Sequence, residues 1–546
     1  MVNLGRIEDR PTPREVYSWI IYLNAFVATF AAVMIGYDSA FIGTSLSLTS
    51  FKTEFNLLDK TTSQFNFISA NIVSLYQAGC FFGAFVGYPI GHFLGRKWGL
   101  FISAFIFNVG AILQVVANSS TGLGLMYAGR VIAGLGIGIA SNLAPIYVAE
   151  IAPPAIRGRL IGMYELCWQI GGVVGFWINY GASNNISEGH TQWLLAFAVQ
   201  LIPGGLLMLG SPFLVESPRW LMSRDRKDAS LACLSSLRSL QKDHSFVQRE
   251  YAETEETIRH ERSLAGAGFW GPMLTVLANR KLVWRLILGM SLFAWQNATG
   301  INAINYYSPT IFKSIGVTGQ NTSLLTTGVY GIIKLVGALI WLLYLVDQLG
   351  RRSLLMIGSI GGAISMYYIG AYIAIAKPQN NPTSTISSSG RSAIAFFYIW
   401  TIFYSPTWNG TPWVVGAEFF PQHVRTFTSS CIAASNWLFA FLIARFTPQM
   451  FTSMGYGVYL FFASLMICSV FYVYLLLPET KQVPLERMDE LFGSDVKAWN
   501  AHKIVMARMI HQNDTSKNSF SDGGRDEEVG MKDDGSMTKG VEARID

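Results

Sequence analysis

The chain has 546 residues, of which 51% are hydrophobic and only 14% charged, too little polar surface for a water-soluble globule of that length to cover itself. This balance excludes a soluble enzyme or binding module and indicates a polytopic membrane protein in a lipid bilayer. The net charge of +6 does not imply nucleic acid, because the basic residues sort by loop as topology signals and form no basic groove.

Residues 1–19 are polar and carry Arg6, Arg10 and Arg14 with two prolines, which is no cleavable signal, so the first apolar run is retained as a helix. Runs of membrane-spanning length follow near 20–43, 67–91, 98–117, 125–148, 160–181, 192–214, 282–312, 323–346, 353–375, 391–416, 428–450 and 455–477. They predict an all-α fold of twelve transmembrane helices. The expected organisation is a cytoplasmic N-terminus (1–19), an N-terminal six-helix bundle (20–214), a cytoplasmic helical linker (215–281), a C-terminal six-helix bundle (282–477) and a largely disordered cytoplasmic tail (478–546). The tail ends in SFSDGGRDEEVGMKDDGSMTKG, which has too few apolar residues to bury a core.

The fourth and fifth runs are the most informative. Arg130 falls at membrane depth, where a guanidinium is costly and cannot shed its proton, so it reads as part of an ion or substrate pathway. Around it Gly134, Gly136, Gly138, Ala140 and Ala144 recur at spacings that let helix backbones touch. Lys and Arg cluster on one side of the membrane, at Arg96-Lys97, Arg157, Arg159, the linker, Arg351-Arg352 and Arg425. The positive-inside rule therefore predicts both termini in the cytoplasm. The sequons at Asn118, Asn185 and Asn321 then face outward as glycosylation candidates, whereas those at Asn297 and Asn409 fall inside spans. The five cysteines show no CxxC or CxxH spacing, so neither a disulfide framework nor a metal site is expected. No nucleophile motif or phosphate loop lies on any run, and neither enzyme activity nor a cofactor is expected.

The two halves echo each other. Gly95-Arg96-Lys97 matches Gly350-Arg351-Arg352, and Glu150 with Arg157 matches Glu418 with Arg425, seven residues apart in each copy. Glu216-Ser-Pro is likewise matched by Pro-Glu479-Thr. Six-span halves with weak internal symmetry are what alternating access requires, and these acid and base pairs are candidate gating salt bridges.

GRVIAGLGIG, AEIAPPAIRGRL, VESPRWL, QNATGINAINYYSP, VDQLGRR, AEFFP and PETK together resemble the sugar porter family of the major facilitator superfamily over about residues 20–492. PTPREVYSW, MIGYDSAFIGT, YPIGHFLGRKWG and WQIGGVVGFWINYG are similar to strings of its fungal quinate permeases. The resemblance implies two six-helix bundles around a central site and proton-coupled uptake. It makes Asp38 the proton-carrying carboxylate and Arg130 its partner. It assigns substrate contacts to Gln296, Asn297, Asn302 and Tyr306 on helix seven, Trp413 on helix ten and Asn436 on helix eleven.

Two departures from the family pattern matter: Glu165 stands where most members have a Gln, and Lys334 at or next to their polar Asn. A neutral sugar gives no reason to bury both, whereas a cyclic polyol carboxylate such as quinate does, with Lys334 as its carboxylate partner and Arg445 as a less central second choice. Glu165 is expected to accept hydroxyl hydrogen bonds or to pair with Arg130 or Lys334. A third departure is His92-Phe93, where an acid and an Arg are usual, so the inner gate there is expected to be weaker or differently paired. The resulting expectation is a monomeric plasma-membrane symporter taking up quinate or a related hydroxylated carboxylate with protons. The alternatives are a porter for neutral hexose, pentose or polyol, one for galacturonate, and a non-transporting nutrient sensor.

Overall fold

A computed structural model describes residues 12–266, 268–317, 319–345, 348–378, 387–481, 483, 488–492 and 497–509. Every regular element among them is helical, as it must be where no water satisfies backbone groups. Span one is Trp19–Ser45, span two Thr62–Phe93, span three Arg96–Val116, span four Gly122–Ile151 and span five Pro154–Asn185. Span six runs through His190–Val199 and Leu201–Gly210. In the second half, span seven is Arg280–Ala298 with Ile301–Ile315, span eight Gln320–Ile340 with Trp341–Leu345, and span nine Arg351–Ala376. Span ten is Ser388–Tyr404, Ser405–Asn409 and Thr411–Glu418, span eleven Gln422–Met454 and span twelve Gly457–Leu476.

Among the described residues nine of these segments are long and apolar enough to cross a bilayer without further support. The other three, spans five, seven and ten, are more polar or interrupted. Span five holds Arg157, Arg159 and Glu165, while spans seven and ten are broken. Span seven breaks at Thr299-Gly300, where Gly300 has φ +87°, a left-handed value that favours glycine. Span ten loosens into a π-helical turn over Ser405–Asn409, a feature that concentrates at functional sites. Irregular backbone at membrane depth is tolerated only where it is buried in protein or faces a cavity.

Small residues set the closeness of the helices. A Cβ on Gly134 would lie 2.1 Å from the Tyr76 carbonyl oxygen, and one on Gly138 2.2 Å from that of Cys80, so spans two and four touch backbone to backbone along the expected glycine stripe. The first half packs Ile35, Tyr76, Phe107, Ile137, Leu143 and Tyr147 into one core. The second half packs Phe293, Phe312, Met366, Phe397, Trp400 and Trp408 into another.

Four short helices, Pro218–Ser223, Lys227–Arg238, Ser245–Ala265 and Gly271–Ala278, form the linker. Ser217 caps the first, its hydroxyl accepting from Trp220 N at 3.1 Å. Arg238 pins the linker to the membrane part: it donates to Ile151 O at 2.9 Å and to both Glu250 oxygens at 2.9 and 2.6 Å. Of the tail expected to be disordered, residues 498–509 are helical and pack Ala501 and Val505 against Val483, Met488 and Leu491. The polar string after them lies outside the described residues.

Candidate functional site

A cavity lies between the two halves, with Ser39, Glu165 and Trp168 on its first-half wall and the rest of its lining from spans seven, eight, ten and eleven. All eight residues expected to contact substrate line it: Glu165, Gln296, Asn297, Asn302, Tyr306, Lys334, Trp413 and Asn436. They belong to five different spans, so only the tertiary fold brings them together.

The break in span seven puts three amides in series. Asn302 Nδ2 donates to Asn297 Oδ1, and Asn297 Nδ2 donates to Phe293 O at 2.8 Å and to Asn436 Oδ1 at 3.3 Å. Gln296 turns towards span ten and donates to Trp408 O at 2.7 Å and Asn409 O at 2.9 Å, two carbonyls in the π-turn. Its donors are therefore engaged and its amide oxygen is what it offers the cavity. Trp413 lies edge-on to Phe293 with ring centres 4.6 Å apart, and with Trp168, at 6.5 Å, it makes an aromatic floor.

Glu165 forms no ion pair with Arg130. Its Oε1 accepts from Gln169 Nε2 at 2.7 Å and, across the divide between the halves, from Asn409 Nδ2 at 2.6 Å. Lys334 is 8% exposed; its carbonyl accepts from Ser405 Oγ at 2.5 Å, and among the described residues no hydrogen bond or ion pair holds its ammonium. Arg445, the second choice for a carboxylate partner, stacks over Phe67 at 4.8 Å and is absent from the cavity lining.

Asp38 and Arg130 sit beside the cavity rather than in it. Both are 0% exposed, and Arg130 Nη1 donates to Asp38 Oδ1 at 2.7 Å. Arg130 Nε donates to Ile72 O at 3.0 Å, and the guanidinium lies 4.5 Å from the centre of the Tyr76 ring. The pair is incompletely satisfied, since Asp38 Oδ2 and Arg130 Nη2 are buried without partners. A buried group left without a partner costs about 1–3 kcal/mol. Two contacts join it to the cavity wall. Ser39 follows Asp38 in the chain, and the Tyr76 ring meets Trp437 edge-on at 6.2 Å.

At the linker end the repeat is visible as geometry. Arg96 Nη2 pairs with Glu150 at 2.8 Å and Arg351 Nη2 with Glu418 at 2.9 Å. Glu216 accepts from Arg96 N at 3.0 Å, and Glu479 from Arg351 N at 2.9 Å and Arg352 N at 3.0 Å. Each acid thus caps the start of span three or span nine, where the helix dipole favours a negative charge. Burial pushes the Glu216 carboxyl above the usual carboxylate range, against the opposing pull of the Ser217, Lys97 and Arg96 amides. The seven-residue spacing does not describe the pairing: Glu150 and Glu418 pair with Arg96 and Arg351, not with Arg157 and Arg425. A carboxylate seven residues from a guanidinium, across a helix break, is farther away than one on the adjoining span.

His92 and Phe93 themselves form no ion pair among the described residues but join an aromatic cluster. The Phe269 ring, from the linker, lies 5.3 Å from both of theirs and 4.9 Å from Tyr88, while Tyr88 OH donates to Phe269 O at 2.8 Å. At the opposite end, Asn118 lies between spans three and four, Asn185 ends span five and Asn321 is near the start of span eight. Asn321 there bonds Ser183 and Asn184 across the halves at 2.7 and 3.0 Å.

Asn305, Tyr404 and Asn409 also line the cavity and carry no assignment from the sequence. Asn305 is one helical turn after Asn302, a spacing that puts both on one face. Asn409 reads in the sequence only as a sequon inside an apolar run.

The Sugar (and other) transporter family matches residues 24–492. The "Quinate permease" of Emericella nidulans is 56% identical over 94% of this chain and 96% of its own. The "Probable quinate permease" of Aspergillus niger is 55% identical over 94% and 95%. The proton:xylose symporter XylE bound to 6-bromo-6-deoxy-D-glucose superposes with a TM-score of 0.72 at 24% identity, over 87% of this chain and 99% of that one. That likeness speaks for the fold alone. Matched along nearly its whole length and folded as two halves about a central cavity, the chain belongs to the sugar porters of the major facilitator superfamily.

Proposed function

We propose that this sugar-porter transporter takes up quinate, or a closely related hydroxylated carboxylate, together with protons by alternating access. The observation that carries the substrate is the Lys334 ammonium, which no hydrogen bond or ion pair holds among the described residues, in a wall whose other polar groups are chiefly amides, with Glu165 the one carboxylate. A cation at membrane depth is costly unless something anionic compensates it, and a substrate carboxylate does so each time it binds. The amides of Asn297, Asn302, Asn305 and Asn436 offer both donors and acceptors to ring hydroxyls. Glu165 Oε1 is held by two amides, and its carboxylate is an acceptor for a hydroxyl hydrogen. The names of the relatives at 55–56% identity agree with this reading.

Proton coupling rests on the buried Asp38–Arg130 pair. Burial disfavours a charged carboxylate and the guanidinium favours it, so a small displacement of Arg130 tips Asp38 towards taking a proton. In this reading both termini face the cytoplasm, the protein works as a monomer in the plasma membrane, and the linker end is the inner gate. Competition in proteoliposomes tests the substrate. Labelled quinate uptake is expected to be blocked by excess quinate and reduced by shikimate, with glucose, xylose and galacturonate much weaker. Equal or stronger competition by a neutral sugar would move the assignment to the neutral class.

A further inference from the structure

Where spans five and eleven begin, the two halves bring basic side chains together without enough acids to match. Arg157 stands in the first turn of Pro154–Asn185 and Arg425 in the first turn of Gln422–Met454. Arg219, on the linker helix Pro218–Ser223, donates Nη1 to Gln422 Oε1 at 2.5 Å, at the start of the helix that carries Arg425; its charge acts on both Arg157 and Arg425, and that of Arg238 on Arg157. The nearby carboxylates are already committed: Glu250 to Arg238 through two hydrogen bonds, Glu261 to Arg219, and Glu418 to Arg351. Arg157 has no hydrogen bond or ion pair among the described residues. Arg425 donates Nη2 to Phe420 O at 3.1 Å, but its buried Nε has no partner. Among these described residues, and apart from the Glu418–Arg351 pair, the guanidiniums of Arg157, Arg219, Arg238 and Arg425 face the carboxylates of Glu250 and Glu261, an excess of two positive charges.

The backbone adds to the same demand. Both helices start after a proline, Pro153 and Pro421, with no side-chain cap; Ile156 N and Val424 N bond back to the Pro153 and Pro421 carbonyls, and no side chain neutralises the positive end of either helix dipole. Helix starts of this kind favour anions.

We infer that Arg157, Arg219 and Arg425 form a binding site for a phosphate-type oxyanion bridging the two halves at the linker end. A phosphate dianion supplies the two missing charges and enough acceptors for several guanidinium forks at once. Arg157 is exposed, so the site is reachable from solution and also lies where a lipid headgroup phosphate can enter from the bilayer surface. Since Arg157 and Arg425 belong to different halves, a bound anion holds that end closed. This last clause rests on the alternating-access reading, whereas binding itself does not.

Thermal unfolding of the full-length protein in detergent tests binding without transport. At fixed ionic strength the midpoint is expected to rise by several degrees in phosphate over chloride, or in mixed micelles with phosphatidic acid over phosphatidylcholine. A rise in soluble phosphate identifies the free anion as ligand; a rise with phosphatidic acid alone identifies the headgroup. Arg157→Gln removes no existing contact, so it should fold and lose the rise. No rise with either ligand overturns the site. A rise that Arg157→Gln retains also overturns it, because general salting-out by phosphate acts without this residue.

Discussion

Asp38 and Arg130 are each the other's main compensation, and that sets what mutation will do. Removing one partner of a buried pair typically costs about 3–5 kcal/mol because the survivor is left charged and desolvated. Asp38→Asn keeps the shape and one acceptor. It is expected to abolish pH-driven accumulation while preserving exchange of labelled for unlabelled substrate, and accumulation that survives would remove Asp38 from the proton path. Lys334 makes a different prediction, because among the described residues no hydrogen bond or ion pair holds its ammonium. Lys334→Met should leave the unfolding midpoint within a few degrees but weaken a carboxylate substrate by about 10–100-fold, the worth of one charged hydrogen bond. An equal loss for a neutral polyol would exclude that contact.

Glu216 gives the pH test at this scale. Its folded pKa is raised by burial, so the group favours the folded state at low pH, and that contribution is lost as pH rises through the folded value. The stability of Glu216→Gln relative to wild type should therefore be greatest near neutrality and shrink on acidification. The opposite trend in unfolding midpoints would mean that its ionised form, through the capping bonds, is the stabilised one. Arg130 was legible in the sequence because its charge conflicts with its depth, whereas Asp38 came from the family resemblance and Glu165 and Lys334 from departures from the family pattern. Asn409 was not legible. A π-turn shifts the helical register by one residue, and no 3.6-residue pattern reveals which side chain it turns inward.

At the scale of elements, close approach decides. Gly134 is expected to tolerate no side chain: Gly134→Ala places a Cβ 2.1 Å from a backbone oxygen, and spans two and four must separate to admit it. Since span four carries Arg130 and span two Tyr76 and Ile72, the substitution should both lower the unfolding midpoint and impair proton coupling. Unchanged stability would show that the helices can slide apart freely. The glycine stripe and the run lengths predicted these contacts. The break at Thr299-Gly300 was less apparent, because a single Gly in an apolar run is usually tolerated within a helix. With φ at +87° there, Asn297 and Asn302 on either side of the break both line the one cavity.

For the whole molecule, contacts between the halves occur at both ends around the central cavity. At the end away from the linker, span one meets span seven so closely that a Cβ on Gly43 would lie 2.2 Å from the Tyr306 carbonyl oxygen. At the linker end Asn142 Nδ2 donates to Ser430 Oγ at 2.6 Å and Arg219 Nη1 to Gln422 Oε1 at 2.5 Å. The structure is therefore bridged on both sides. Repeat spacing in the sequence revealed the symmetry of Arg96 with Arg351 and of Glu216 with Glu479. It could not reveal the partners, because pairing depends on which spans lie side by side. The helix over 498–509 was hidden for a similar reason: its apolar face is short and finds its cover only in Val483, Met488 and Leu491.

Proton movement coupled to substrate entry is the most direct test of this account. Wild-type protein in tightly sealed, weakly buffered proteoliposomes, with no imposed gradient, is given quinate outside while external pH is followed. Quinate should make the medium more alkaline at a rate that tracks its own entry. Quinate entry without accompanying proton uptake would contradict the account.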